Sequence, residues 1–199
     1  MGSWVGPPVS LPLEEDGLGS GAASAEVHVS ASDVVVRRAR LADAELIAAF
    51  VNAARSEDPR GSYAQLSRRD VALRFGQVGF MIAESQGRVV GLLGWQVENL
   101  VVRVSDFLIT YGRDPAEIGR VLVSRMEEDA AELLVEAVIL FLPSRPSEAL
   151  VAFWESLDYE FQNLDDLPPA WQEAVAEYDL VGRGVMMKRL RDDLIRRPI

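Results

Sequence analysis

"FLITYGRDPAEIGRVLVSRMEEDA" (107–130) changes its period within a few residues. Its first five residues complete "LVVRVSDFLITY" (100–111), which reads as a strand. Alternation there puts Asp106, Leu108 and Thr110 on one face and Phe107 and Ile109 on the other. Past Asp114, apolar residues recur at Ile118, Val121, Leu122, Met126, Ala130, Leu133 and Leu134. That spacing predicts a long amphipathic helix with these residues on its inner face. The next segment, "AVILFLP" (137–143), is almost wholly apolar, as expected of a strand covered on both faces. Strand, helix and strand together form a β-α-β step.

Outward from this step the pattern stays legible. Upstream, "VVVRRA" (34–39) reads as a strand, and "LADAELIAAFVNAAR" (41–55) as a helix with Leu41, Leu46, Ile47, Phe50 and Val51 inward. Asp43 is a candidate cap for that helix. Ser67 opens a shorter helix, "RRDVALRFGQ", with Asp70 placed for a capping box. "GFMIAESQGRVVGLLGWQVE" (79–98) is a hairpin that turns at Ser85-Gln86-Gly87. Downstream, "SEALVAFWESL" (147–157) predicts a helix with Ala149, Leu150, Phe153 and Leu157 inward. "YEFQNL" (159–164) follows as a strand, then a Pro-opened helix in "PPAWQEAVAEYDL" (168–180) and a last strand in "GVMMKRL" (184–190). The order β-α-α-β-β-β-α-β-α-β-(α)-β predicts an α/β chain with a mixed, mostly antiparallel central sheet and helices on both faces.

Composition narrows the chemistry. The 199 residues carry 31 acids and 20 bases, a net charge of −11, which repels nucleic acid and anionic lipid. There is no cysteine, and His28 is the only histidine, so thiol chemistry, Ser-His-Asp catalysis and a metal site are not expected. Neither a membrane-spanning run nor a signal peptide is evident, and a soluble cytoplasmic protein is the expectation. Residues 1–32 are rich in Gly, Ser, Pro and Ala and read as a disordered tail. Residues 33–191 form the one folded domain expected, and 192–199 a C-terminal tail.

The element order, with 107–130 and "SEALVAFWESLDYEF" (147–161), resembles the GNAT acyltransferase superfamily over roughly residues 34–190. The resemblance implies an N-acyltransferase that moves an acetyl group from acetyl-CoA to a small-molecule or peptide amine. It also implies that the strand before the loop, through Leu108 and Ile109, binds the pantetheine arm. The loop that follows would meet the pyrophosphate, with Arg113, Ile118, Gly119 and Arg120 as the cofactor-binding residues. A homodimer is common in that superfamily, which makes one an expectation here.

Two departures from the family pattern stand out. The loop reads Arg/Gln-x-x-Gly-x-Gly/Ala in active members, and here it reads "DPAEIG" (114–119), with only Gly119 matching. Asp114, Pro115 and Glu117 form a strong helix start, as N-cap, N1 and the N3 member of a capping box. Such a cap fills the N–H groups that a pyrophosphate would use. Each carboxylate about 5 Å from a phosphate charge would cost about 3 kcal/mol at an effective dielectric near 20. Two readings therefore stay open: a self-capped helix without CoA, or weakened CoA binding aided by Arg113 and by Arg120 and Arg125 on the helix.

The second departure is Trp154, which falls where many members have the tyrosine that protonates the leaving thiolate. Indole is a donor without useful acidity, so it cannot act as that acid. Asp158 falls where a glycine usually makes the turn. Tyr111 and Tyr159 are the nearby phenols, and Tyr159 aligns with a core Phe. Glu98 and Asp106 are the candidate general bases, and no catalytic residue is assigned. Arg37, Arg38, Arg40, Arg68 and Arg69 read as solvated faces, Trp95 as a core residue, Trp154 as a packing or interface residue, and Trp171 as a cover for a sheet edge or a partner contact.

Overall fold

The computed structural model describes residues 34–56, 64–109, 115–175 and 184–191. The expected 1–32 and 192–199 tails, His28, and the loop residues Thr110, Tyr111, Arg113 and Asp114 lie outside the described residues.

The strands are β1 (Val34–Arg38), β2 (Gly79–Ser85), β3 (Arg88–Glu98), β4 (Val101–Ile109), β5 (Ala137–Phe141), β6 (Glu160–Phe161) and β7 (Val185–Arg189). They form one sheet in the order β1-β2-β3-β4-β5-β7-β6. Only β4 and β5 run parallel; the other neighbours are antiparallel. The helices are α1 (Ala44–Ser56), α2 (Arg68–Arg74), α3 (Pro115–Glu132), α4 (Glu148–Glu155) and α5 (Pro169–Val175), with 3-10 turns at Leu41–Asp43 and Leu164–Asp166. This is the mixed, mostly antiparallel sheet that the element order predicts.

Local chemistry accounts for several of the boundaries. Ser67 and Asp70 form the expected capping box, with Ser67 Oγ accepting from Asp70 N and Asp70 accepting from Ser67 N at 2.8 Å. Ser147 caps α4 by accepting from Leu150 N. The β2–β3 turn puts Gln86 and Gly87 at φ 50° and 73°, the left-handed pair a two-residue hairpin requires. Asp43 accepts from the backbone N–H of Arg40 and closes the entry to α1.

Helices cover both faces. One face packs α3 and α4 on Met81, Leu93, Val102, Val104 and Phe107. The other packs α1 and α2 on Phe80, Ile82, Leu92 and Leu108. Strand alternation places α5 on this second face, where Trp171 and Val175 join Val101, Ile139 and Met187.

The structure corrects some inward assignments. Leu41, Leu46, Val121, Leu133 and Leu134 are exposed, and so is Ala149. Leu41 falls in the 3-10 turn ahead of α1, out of phase with the helical stripe. Leu133 and Leu134 lie past the last residue of α3, and Leu134 adopts φ 60°, so the helical period no longer governs them. In α3 the buried stripe runs instead through Ile118, Leu122, Val123, Met126 and Ala130. Arg37 and Arg38 are not simply solvated. Arg37 pairs with Asp43 and Glu84, each at 2.8 Å, and Arg38 pairs with the buried Asp129 of α3.

Candidate functional site

The site begins at an irregularity in the middle of the sheet. Gly94 of β3 pairs with Asp106, but the next residue, Trp95, pairs with Val104. Ser105 is therefore an extra residue on β4, a β-bulge that re-aims the strand. On the opposite edge, β4 pairs with β5 only over Val101–Val104, against Ala137–Leu140. Beyond that point β4 continues through Ser105–Ile109, still paired to β3, while its pairing with β5 has ended. The bulge and the parting of the two parallel strands coincide.

Helix α3 starts beside this opening and lies unusually close to the sheet. A Cβ on Gly91 would come within 2.8 Å of Leu122 Cδ1 and 3.0 Å of Ile118 Cγ2. A Cβ on Gly119 would come within 2.8 Å of Phe153 Cζ and 2.9 Å of Phe107 Cζ. Gly119 thus has a packing reason to be glycine, since two phenyl rings occupy the space a side chain would need. Ile118 is buried in the same core, whereas Arg120 is exposed. Leu108 and Ile109 lie on the stretch of β4 that has left β5, with Leu108 facing α1 and α2 and Ile109 facing α3. Glu117 lies in the first turn of α3.

Four aromatic rings close the α3 and α4 side. Phe107 stacks with Phe153 at 5.5 Å between centroids, and Trp154 lies 5.0 Å from Phe107 and 5.0 Å from Tyr159. Trp154 is 0% exposed. Behind it, Tyr159 donates to Glu127 Oε1 at 2.9 Å, and Lys188, the only lysine in the sequence, pairs with Glu127 Oε2 at 2.8 Å. Burial, then the neighbouring Glu127 carboxylate, pushes the Tyr159 phenol well above its ordinary range. Tyr159 is therefore a fixed core donor, as its alignment with a core Phe implies, and not a proton source near neutral pH. Asp158, just before it, adopts φ 65°, the left-handed conformation usual for glycine in such a turn.

On the α1 and α2 side the two candidate bases separate. Glu98 is exposed at the hairpin end of β3, where β4 is still paired with β5. Asp106 is buried at the bulge, beside the opening. Its carboxylate accepts from Arg74 Nη1 at 3.2 Å and Nη2 at 2.6 Å, and from Ser105 Oγ at 2.7 Å. The carboxylate fits because Gly94 opposite carries no side chain; a Cβ there would collide with Asp106 Oδ2. The sequence offered no sign of Arg74, since it is 32 residues away and belongs to another element. The chain leading into α2 is pinned by Asn52, which bonds both the N–H and C=O of Leu66 at 2.8 Å, and by Arg55, which donates to Ala64 O at 2.9 Å.

Among the described residues no group of three or more His, Cys, Asp or Glu side chains could hold a metal ion, and no helix is long and apolar enough to cross a membrane. Trp171, assigned to a sheet edge or a partner, is buried and donates to the buried Glu136 at 3.0 Å.

No family model and no curated protein matches this chain in sequence. Solved structures do match it in shape. A GNAT-family acetyltransferase from Staphylococcus aureus Mu50 superposes with a TM-score of 0.63 at 12% identity, over 79% of this chain and 99% of that one. A putative acetyltransferase from Salmonella typhimurium, solved with its cofactor acetyl-CoA, gives 0.63 at 14% identity, over 84% and 99%. A GNAT superfamily phosphinothricin acetyltransferase from Sinorhizobium meliloti, in complex with acetyl-CoA, gives 0.60 at 18% identity, over 84% and 94%. The chain has the GNAT fold.

Proposed function

We propose that this chain is an acyl-CoA-dependent N-acyltransferase, with acetyl-CoA as donor and a small-molecule or peptide amine as acceptor. The parting of β4 from β5 at the bulge, beside the start of α3, carries the reading. Among the described residues it leaves the β5-facing edge of Ser105–Ile109 without a strand partner, so an extended arm could pair there as an added strand would. The residues fit the cofactor at that arm. The backbone of Leu108 and Ile109 would bind it, and Arg113 and the exposed Arg120 would supply positive charge for the phosphates. Ile118 and Gly119 seat α3 against the sheet. The bound thioester supplies an activated acyl group.

The acceptor amine would approach from the α1 and α2 side, where Asp106 lies. Both Asp106 oxygens already accept hydrogen bonds from Arg74 or Ser105, so its role is to hold α2 over the sheet. The chain would then work by holding the two reactants together in a dry site, an effect that can supply much of a barrier reduction on its own. A surface with net charge −11 favours a cationic acceptor.

The burial of Trp154 and Tyr159 favours a second reading, a non-catalytic GNAT-fold binding or assembly module, because neither residue can serve as a proton-donating acid at the opening. Calorimetry and thermal shift with acetyl-CoA separate the two. Micromolar binding, with thiol release in the presence of an amine panel, is the expected result. No binding at millimolar acetyl-CoA overturns the acyltransferase reading.

A further inference from the structure

Strand β1 is one end of the sheet, and among the described residues its one strand neighbour is β2. The Ala39 N–H donates to Phe80 O. By alternation Val35 and Arg37 also turn their backbone groups to β2, while Val34, Val36 and Arg38 turn theirs outward. The side chains of Val34 and Val36 pack into the core on the α3 face. Val35 points to the opposite face and is 61% exposed. The Arg38 side chain is 56% exposed, although its Nε holds Asp129. A row of outward N–H and C=O groups beside an exposed valine invites another strand unless something covers it.

We propose that residues 26–30, "EVHVS", cover this edge as an eighth strand, folded back on β1 through the three-residue loop Ala31-Ser32-Asp33. This goes beyond the acyltransferase reading and does not depend on it. The stretch that precedes the described residues ends at Asp33, directly against Val34, so a short loop brings it to the free side of β1. A loop of this length places its last residue in the left-handed region, which aspartate tolerates. The loop pairs Ser30 with Val34, Val29 with Val35, His28 with Val36, Val27 with Arg37 and Glu26 with Arg38. Its hydrogen-bonded positions on β1 are Val34, Val36 and Arg38, the three whose backbone groups point outward. Val29 then lies over the exposed Val35, and Glu26 lies beside Arg38, both favourable cross-strand pairs. A loop one residue shorter or longer sets Ser30 or His28 opposite Val35 and turns both valines to the other face. Charge agrees as well. Residues 1–32 hold Glu14, Glu15, Asp16 and Glu26 and no Lys or Arg, whereas β1 holds Arg37 and Arg38, with Arg40 after it. A second copy of β1 would bring the edge no acid, since its sequence is VVVRR.

Nuclear magnetic resonance on the full-length, ¹³C- and ¹⁵N-labelled chain tests this. Val29 with Val35, and Val27 with Arg37, take the close non-hydrogen-bonded positions, so Hα–Hα contacts are expected within each pair. Hydrogen exchange at the Val36 and Arg38 amides is expected to be slow, as at Val35 and Arg37. Val29→Asp sets a charge over Val35, and Glu26→Arg sets like charges side by side. Each is expected to speed exchange at Val36 and Arg38 by about tenfold or more. The Val35 and Arg37 amides, which face β2, are expected to stay slow and so report an intact domain. Val36 and Arg38 amides that exchange as fast as unprotected ones overturn the proposal. Slow exchange that survives Val29→Asp and accompanies a dimer in light scattering gives the edge to a second copy, and overturns it too. So do Hα–Hα contacts offset by one residue, which leave Val35 without Val29.

Discussion

Arg74 reaches from α2 to hold Asp106 of β4, with Nη2 2.6 Å from Oδ2 and Nη1 3.2 Å from Oδ1. The Asp106 side chain is 1% exposed and that of Arg74 20%. Removing Asp106 takes away the carboxylate that balances the partly buried Arg74 charge. Asp106→Ala is therefore expected to lower stability by about 2–4 kcal/mol, the partial exposure of Arg74 keeping it below the loss of a fully buried pair. Urea denaturation measures it. A loss under about 1 kcal/mol would put the pair among ordinary surface ion pairs.

Gly119→Ala tests whether that glycine serves packing. Its Cβ would meet Phe153 Cζ at 2.8 Å and Phe107 Cζ at 2.9 Å. Overpacking of this kind is expected to cost about 1–3 kcal/mol. Phe153→Leu in the same chain should recover part of the loss, a coupling that a double-mutant cycle reads directly. Strict additivity of the two changes would count against the ring contact.

Asp158→Gly should make the protein more stable. Asp158 is exposed and held at φ 65°, a conformation that disfavours any residue with a Cβ. The expected gain is about 1 kcal/mol. Asp158→Val should lose stability, because a β-branched residue fits that conformation worst. Thermal unfolding of the two variants beside the parent decides, and equal melting points for both would rule out backbone strain as the cause.

Local chemistry made much of the fold legible in the sequence. The Ser67–Asp70 cap, the Gln86-Gly87 turn, the glycine-like turn at Asp158 and the switch to helical period after residue 114 each depend on neighbours a few positions away. Leu133 and Leu134 are exposed although they continue the helical spacing, because apolar periodicity runs on in a sequence after the helix has stopped. Of the candidate site, Asp106 is visible in the sequence as an acid on a strand, but Arg74 is not, because their contact depends on how α2 folds back over the sheet. The same holds for Arg37 and Arg38, which read as surface charge and close ion pairs with residues up to 91 positions away. The bulge was hidden too, since one extra residue in a strand leaves the alternation on either side intact.

Acid should weaken the contact between β1 and the 3-10 turn that leads into α1. The Arg37 guanidinium, through its hydrogen bond, holds the Asp43 carboxyl below the ordinary carboxylate range; burial opposes this, and the Arg40 backbone N–H adds to it. Because the folded value lies below the unfolded one, the unfolded chain binds more protons in acid. The stabilisation is thus complete above the unfolded value of about 3.9 and is lost as pH falls through the folded one. Asp43→Asn is expected to cost about 1–2 kcal/mol at neutral pH and to flatten the decline in stability below about pH 4. Melting temperature against pH for the two proteins gives the comparison. Parallel acid limbs would assign the decline to other carboxylates.

The Lys188–Glu127 pair also matters at the bench. Of the 20 basic side chains in the sequence, Lys188 is the one primary amine, and its ammonium is held by Glu127 against the Tyr159 ring. Guanidinium groups do not deprotonate to become nucleophiles. An assay that follows acetylated amines, or one that screens amines in bulk against a thioester, would therefore read the added acceptor with little background from the protein's own side chains.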